Sequence, residues 1–167
     1  MAEPAAIFDP RGLLAALERQ RVAYILVGAF ARVVQGADEV TRSVDIVPST
    51  RADNLRRLDA ALDELEARRV DGREPTLADS NGLDSIVEVT TDRGILKIIL
   101  EPTGTSGYED LRRAATREHI GQGLRPAVAS LGDLSRMLAA LGREEDMPKL
   151  LDLRRLAELE ISHGIEF

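Results

Sequence analysis

The sequence contains no cysteine and no tryptophan, and aromatic residues make up only 3% of it. Without cysteine the chain can form neither disulfides nor thiolate metal sites, which is compatible with a reducing compartment. With so few aromatic rings, its core must consist mainly of leucine, isoleucine, valine and alanine. Hydrophobic residues nevertheless make up 44% of the 167 residues. This is enough apolar material for one domain, and we expect 1–167 to form a single domain.

Excess positive charge is also lacking, because the formal net charge is -7 at pH 7. An acidic chain lacks the general attraction to phosphate backbones that most nucleic-acid-binding proteins use, so nucleic acid is disfavoured as a partner unless a local basic patch exists. No apolar run approaches the roughly 20 residues that span a bilayer. Residues 1–10 have neither the basic nor the apolar segment of a signal peptide. We therefore expect a cytoplasmic protein that does not bind a membrane.

The hydrophobic pattern predicts a mixed α/β domain, with a core over about 13–129 and C-terminal helices over about 130–163. Short apolar runs bounded by turn residues predict strands at 21–27, 43–47, 85–90, 95–100 and 126–129. Apolar residues at helical spacing, together with turn and capping signals, predict helices at 10–20, 29–35, 51–69, 108–115, 130–141 and 144–162. The polar segment 70–83 is predicted to be a loop.

Three residue types mark predicted helix boundaries. Ser130 is a natural N-cap for the helix that follows it, and either Ser49 or Thr50 is expected to cap the 51–69 helix. Gly164 is expected to end the last helix.

One segment combines the features of a phosphate-binding site. A predicted strand ends at Gly28, a short helix closes at Gly36, Thr41 and Arg42 follow, and Asp45 lies on the next strand. A glycine at a strand–helix junction lets a phosphate approach the N–H groups of the helix. A carboxylate on the following strand can hold a divalent cation beside that phosphate. Each residue alone is equally typical of an ordinary turn or a surface carboxylate. The evidence for a phosphate-binding site is therefore the order in which these residues follow one another.

That order resembles the opening motif of the nucleotidyltransferase superfamily. The run YILVGAFARVVQGADEVTRSVDIV (24–47) resembles the family's strand, glycine turn, short helix and Asp-x-Asp strand, especially in small bacterial members of the abortive-infection and toxin–antitoxin type. DRGILKIIL (92–100) and SLGDLSRMLAALGREEDMPKLLDL (130–153) resemble later family segments, in the correct order. The resemblance spans about 13–159. It implies a polymerase-beta-like mixed sheet with packed helices and a helical C-terminal end.

The resemblance also implies a site. In the family, three carboxylates hold magnesium ions for transfer of a nucleoside monophosphate, and the glycine turn cradles the triphosphate. Matched onto this chain, the catalytic positions are Asp45, Ser43 and Lys97, with Asp45 as the metal ligand. The nucleotide-binding positions are Gly28, Ala29, Arg42 and Arg143.

The departures from the family pattern fall on that chemistry. Ser43 stands at the first carboxylate and Lys97 at the third, and Ala29 replaces a second glycine or serine of the turn. Leu138 and Glu145 stand where lysines are usual. An aspartate beside a lysine is nearly neutral and has little affinity for a divalent cation. We therefore expect Asp45 and Lys97 to form an ion pair between neighbouring strands. If the register differs, the missing carboxylate is supplied by Glu88, Asp92 or Glu101.

A non-catalytic protein that acts by binding a nucleotide or a partner protein is thus the favoured interpretation. The alternative is an active magnesium-dependent enzyme that moves a nucleoside monophosphate from a nucleoside triphosphate to a protein, an RNA or a small molecule. A purely structural oligomer subunit is a third class. Ser43 with Lys97 as a nucleophilic pair is a minor alternative. His119 and His163 are isolated from each other in sequence, so they are read as surface residues.

Overall fold

The computed structural model describes residues 7–78 and 85–165, with side chains described up to residue 161. Its helices are α1 (Pro10–Arg19), α2 (Gly28–Val34), α3 (Ala52–Glu64), α4 (Tyr108–Leu111), α5 (Leu131–Ala140) and α6 (Met147–Ile165), the last preceded by a short 3₁₀ turn at Glu144–Asp146. Its strands are β1 (Tyr24–Val27), β2 (Ser43–Pro48), β3 (Arg68–Arg69), β4 (Ile86–Thr91), β5 (Gly94–Ile99), β6 (Thr116–Arg117) and β7 (Ala127–Val128).

The strands form one mixed sheet in the order β3-β4-β5-β2-β1-β7-β6. β1 pairs with β2 and β4 with β5 in antiparallel fashion, whereas β2 with β5 and β1 with β7 are parallel. The prediction that the four longer strands share one mixed sheet is confirmed. The hairpin of β4 and β5 turns at Asp92 and Arg93, as its turn residues predicted.

The main core lies between the central strands and the helices packed against them. All four residues of β1 are buried, which explains why this strand reads as an uninterrupted apolar run rather than an alternating one. Leucines of α1 and α3 join the same core as the central strand residues, including Leu13, Leu17, Leu58 and Leu62. A smaller cluster of Leu131, Leu138 and Leu153 packs α6 against α5. Helix α5 also contacts α2, the helix that begins at the carboxyl end of β1.

Several predicted boundaries are wrong. The helix predicted over 51–69 ends at Glu64, because Glu66 adopts a left-handed backbone (φ 50) and the chain then enters β3 beside β4. The N-cap of α3 is Arg51, which makes no side-chain cap hydrogen bond, so neither Ser49 nor Thr50 holds that position. The helix predicted over 108–115 stops at Leu111. Helix α6 continues through Gly164 to Ile165.

The strand predicted over 21–27 begins only at Tyr24, because Arg21 has a left-handed backbone (φ 56) that does not continue a strand. Ser130 caps α5, its Oγ accepting a hydrogen bond from the Asp133 N–H at 3.0 Å. Part of the predicted loop, 79–83, and the side chain of His163 lie outside the described residues. No helix in the described part of the chain is both long and apolar enough to cross a lipid bilayer.

Candidate functional site

Gly28 forms the junction at the centre of the candidate site. β1 ends at Val27 and α2 begins at Gly28 with no intervening loop, and Gly28 has a φ of +74°. A Cβ placed on this residue would collide with the carboxylate of Asp45 on the neighbouring strand. Glycine is therefore required at position 28 for two reasons: the backbone is left-handed, and the Asp45 carboxylate leaves no room for a side chain.

Three charged residues lie in one row across the sheet. Asp45 on β2 is in register with Lys97 on β5, and Lys97 is in register with Glu88 on β4. Residues paired across neighbouring strands project to the same face, so the ammonium group has a carboxylate on each side. Ser43, two residues before Asp45, donates a hydrogen bond from its Oγ to Asp45 Oδ1 at 3.1 Å.

The expected ion pair is only partly right. Asp45 and Lys97 share a face as predicted, but the ion pair of Lys97 among the described residues is with Glu88, at 3.8 Å between Nζ and Oε1. The carboxylate of Asp45 instead turns towards Gly28 and Ser43. The strand register explains the difference, because an antiparallel neighbour brings Glu88 directly opposite Lys97, and sequence reasoning weighed that residue only as a spare carboxylate.

Burial raises the pKa of Asp45 above its ordinary value. The positive charge of Lys97, the Ser43 hydroxyl and the positive charge of Arg32 oppose this rise in the pKa, whereas the negative charge of Glu88 adds to it. Desolvation is the largest of these effects because the carboxylate lies between β1, β2 and the start of α2. The site therefore holds a carboxylate with a reduced tendency to ionise.

A pocket of about 480 Å³ opens beside this row. One wall is formed by apolar residues of α5 and the residue after it, namely Leu134, Met137, Leu138 and Leu141, and the sheet side includes Val27, Ile86 and Ile99. The polar lining includes Gly28, Ala29, Arg32, Thr41, Ser43, Asp45, Lys97, Glu101 and Arg143. The cavity thus combines an apolar wall with charged groups.

Most sequence-predicted residues meet here, but not all do. Gly28, Ala29, Ser43, Asp45, Lys97 and Arg143 line the pocket together. Arg42 is exposed and does not belong to the lining. Of the three alternative carboxylates, Glu88 pairs with Lys97 and Glu101 lines the pocket. Asp92 lies in the hairpin turn, at the other end of β5 from Ile99 and the pocket.

Arg32 is a site residue that sequence reasoning missed. Its side chain, 9% exposed, lines the pocket and forms an ion pair with Glu39, with hydrogen bonds of 2.7 and 3.0 Å. The sequence feature that could have indicated Arg32 is that it is a single arginine within the apolar segment of α2. An arginine is rarely buried without a partner, so such a position suggests a buried ion pair. Glu39, seven residues later, is that partner.

The second pocket arginine is also held by a carboxylate. Arg143 Nε lies 2.6 Å from Oδ2 of Asp146, whose side chain is only 1% exposed. Lys149 bridges the two arginine pairs, at 3.8 Å from both Asp146 and Glu39. The start of α6 and the segment after α2 are thus joined by alternating charges along one side of the pocket.

The donor set does not fit a magnesium ion. Mg²⁺ prefers carboxylate oxygens in an octahedral arrangement, whereas this site offers one carboxylate, one hydroxyl and an ammonium group at the three positions. Among the described residues, no group of three or more histidine, aspartate or glutamate side chains is placed to hold a metal ion.

Several solved structures are similar to this structure over most of its length. A candidate nucleotidyltransferase from Thermotoga maritima superposes with a TM-score of 0.57 at 15% identity, covering 90% of this chain and 97% of the other. The antibiotic-resistance factor ANT(2″)-Ia gives 0.58 at 14% identity, covering 91% and 82%. The lincosamide antibiotic adenylyltransferase LnuA, in a lincomycin-bound structure, gives 0.55 at 15% identity, covering 88% and 95%.

The chain has a nucleotidyltransferase fold. No protein-family model matches its sequence, and no curated protein is similar to it at the level of sequence. At these identities the nucleotidyltransferase fold is shared but the chemistry does not follow from it. Function has to be argued from the pocket.

Proposed function

We propose that this nucleotidyltransferase-fold protein binds a nucleotide in the pocket beside Gly28 and does not transfer a nucleotidyl group. The observation that supports this most directly is Lys97, which lies in register with Asp45 and is held by Glu88. An ammonium group at this place supplies the positive charge that a bound cation would otherwise supply.

Lys97 is the pocket cation best able to meet a phosphate. Of the three cations in the described part of the chain that line the pocket, Arg32 and Arg143 make short ion pairs of 2.7 and 2.6 Å with Glu39 and Asp146. The ion pair of Lys97 is looser, at 3.8 Å, and its side chain is 39% exposed. A phosphate oxygen can therefore approach Lys97 without breaking a tight hydrogen bond.

The apolar wall suits the other end of a nucleotide. Apolar side chains of α5 and Ile99 of β5 line the pocket, which gives a nucleobase an apolar surface on which to pack. Solved neighbours support the ligand class: ANT(2″)-Ia is known in complex with adenylyl-2″-tobramycin, and LnuA is an adenylyltransferase.

Calorimetric titration with each of the four nucleoside triphosphates, with Mg²⁺ and then with EDTA, tests the proposal. We expect one nucleotide to bind with similar affinity in both conditions. We expect Lys97→Ala to weaken that binding by about tenfold or more, because a charge-assisted hydrogen bond to phosphate is lost. Arg56→Ala is the matched control, since Arg56 is an exposed cation on α3, outside the pocket lining.

An assay with α-labelled nucleotide tests the absence of transfer. No label is expected in protein, RNA or small-molecule acceptors. Binding that requires Mg²⁺, together with label transfer that is lost in Asp45→Ala, would contradict the proposal and favour the active enzyme. In that case Glu88 or Glu101 would be the carboxylates to examine next.

A partner protein, a role in a toxin–antitoxin pair and a bacterial origin stay predictions from the resemblance. Co-purification of one defined protein with the chain would support the partner. This outcome is independent of nucleotide binding.

A further inference from the structure

A second cavity, here named the arginine groove, lies at the amino end of β1 and at the β6 edge of the sheet. It has a volume of about 410 Å³ and is lined by Ile25, Tyr108, Arg112, Arg113, Ala115, Thr116, Arg117 and Ala127. Ile25 and Val27, which line the groove and the pocket respectively, are two residues apart on β1 and so project to the same face of the sheet. The groove and the pocket therefore lie at opposite ends of one sheet face.

The groove is positively charged within an acidic protein. Three of its lining residues are arginines, and none of its lining residues in the described part of the chain is acidic. Arg112 is partly neutralised by Glu109 at 2.9 Å. Arg117 donates a hydrogen bond to the backbone carbonyl of Arg125 at 3.1 Å, which leaves its charge unpaired. The nearby carboxylate of Glu118 instead accepts a hydrogen bond from Thr116.

Arg113 is the most available of these cations. Within 7–78 and 85–165, its side chain is exposed and makes no hydrogen bond or ion pair. It lies two residues after the end of α4 and three residues before the first residue of the edge strand β6, whose outer side is not paired within the sheet. No contact within the described fold requires an arginine at this position, whereas a bound anion would.

We propose that the arginine groove binds a ligand with one or two phosphate groups, held by Arg113 and Arg117. Planar guanidinium groups suit phosphate oxygens, because their N–H donors form a fixed fork. A small phosphate compound fits better than a long nucleic acid. Polyanion binding depends on many contacts along the backbone, and a chain of net charge -7 with one short basic groove offers few.

The proposal does not depend on nucleotide binding in the pocket beside Gly28. Backbone amide NMR during titration with inorganic pyrophosphate separates the two sites. We expect shifts at Arg113, Thr116 and Arg117 and expect Arg113→Glu to weaken binding by about tenfold or more, since it replaces a phosphate-binding cation with an anion. Arg56→Glu makes the same charge change on an exposed arginine of α3 that has no partner among the described residues, and is expected to leave the affinity within about twofold.

Three outcomes would overturn the proposal. Shifts confined to Gly28, Ser43 and Lys97 would place the phosphate in the pocket, and an unchanged affinity in Arg113→Glu would remove the groove from binding. A short single-stranded RNA that binds through Arg113 much more tightly than pyrophosphate would show that the groove serves nucleic acid instead. Because the side chain of Arg113 is exposed and makes no hydrogen bond or ion pair among the described residues, Arg113→Ala provides a second variant that is expected to fold normally.

Discussion

At the scale of single residues, Gly28 links the backbone to the site. Gly28→Ala should destabilise the fold by about 1–2 kcal/mol for the left-handed backbone alone, and more if Asp45 must move away from the new methyl group. Nucleotide binding should weaken in the same variant because Asp45 and the start of α2 are displaced together. Urea unfolding and calorimetry measure the two effects.

Gly132→Ala is the matched control for that substitution. Gly132 is exposed in α5, and a Cβ there would meet only Ser130 Oγ at 3.9 Å. Alanine is a better helix former than glycine, so this variant should be stabilised by up to about 1 kcal/mol. Equal effects of the two substitutions would contradict the special role assigned to Gly28.

Substitutions of Lys97 and Glu88 should shift the pKa of Asp45 in opposite directions. Lys97→Met should raise the pKa of Asp45 further, because it removes the positive charge that lowers it. Glu88→Gln should lower the pKa of Asp45, since a negative neighbour is removed and Lys97 is released from its partner. Carboxyl ¹³C NMR titration of Asp45 in the three proteins measures both directions. Equal pKa values in all three would mean that the row is not electrostatically coupled.

The raised pKa of Asp45 also sets a pH dependence. Because the pKa of the folded form lies above the ordinary value of 3.8, folding favours the protonated carboxyl group. The resulting stabilisation is absent at pH values well above the folded pKa, grows as pH falls through it, and is complete below the unfolded pKa. Asp45→Asn should therefore reduce the pH dependence of stability in the mildly acidic range, as judged by unfolding curves at several pH values.

At the scale of elements, Asn54 joins α3 to the central strands. It is 2% exposed, and its Oδ1 accepts a hydrogen bond from the Ala23 N–H at 2.7 Å. Its Nδ2 donates to the carbonyls of Ala23 and Ser49 at 2.9 and 2.8 Å. Asn54→Ala should cost about 2–4 kcal/mol, because it removes these bonds and leaves the partly buried Ala23 N–H without its partner. Chemical denaturation gives this value directly.

Two further variants test that explanation. Arg56→Ala, on the exposed side of the same helix, should change stability by less than about 0.5 kcal/mol. Asn54→Asp keeps the acceptor but presents a carboxylate to two carbonyl oxygens, so at neutral pH it should be at least as destabilising as alanine. A mild effect of aspartate would indicate that the acceptor bond alone matters.

The elements that sequence predicted best are those determined by local patterns. The apolar run of β1, the hairpin of β4 and β5 and the Ser130 cap all depend on residues close together in the chain, and all are present. The two-residue strands β3 and β6 were missed because they form only by pairing with distant neighbours. Propensity over so few residues contains little information.

The candidate site was predictable to a similar degree. The glycine junction and Asp45 follow from the order of residues, and the structure brings them together with Ser43 and Lys97. The pairing of Lys97 with Glu88, the burial of Arg32 and the hydrogen bonds of Asn54 depend on register and packing between separate elements. These are properties of the folded chain that a linear pattern does not contain.

At the scale of the whole molecule, charge is distributed unevenly over one sheet face. The pocket end balances Asp45, Glu88 and Glu101 against Lys97 and paired arginines, whereas the arginine groove includes two arginines without a carboxylate partner among the described residues. A formal charge of -7 therefore describes neither site. Ligand class has to be inferred for each end separately.

The last prediction restores the carboxylates that the pocket end lacks. In Ser43→Asp with Lys97→Asp, three carboxylates would stand on β2 and β5 beside Gly28, with Glu88 released from its ion pair. Such an oxygen-rich cluster should bind Mg²⁺ at least about tenfold more tightly than the natural chain does, because hard cations prefer several carboxylate ligands. Isothermal titration with Mg²⁺ measures the gain.

A control is needed to show that any gain in Mg²⁺ affinity comes from the three carboxylates in the pocket and not from the more negative net charge. Thr50→Asp with Arg155→Asp makes the same change in net charge at exposed positions outside the pocket lining, and should not gain Mg²⁺ affinity. If the pocket variant binds Mg²⁺ and the control does not, the strand geometry of a metal site persists and Lys97 occupies the place of the cation. If neither variant binds Mg²⁺ although both fold, the nucleotidyltransferase fold is retained without the geometry of a metal site. Lys97 would then not be a replacement for a bound cation.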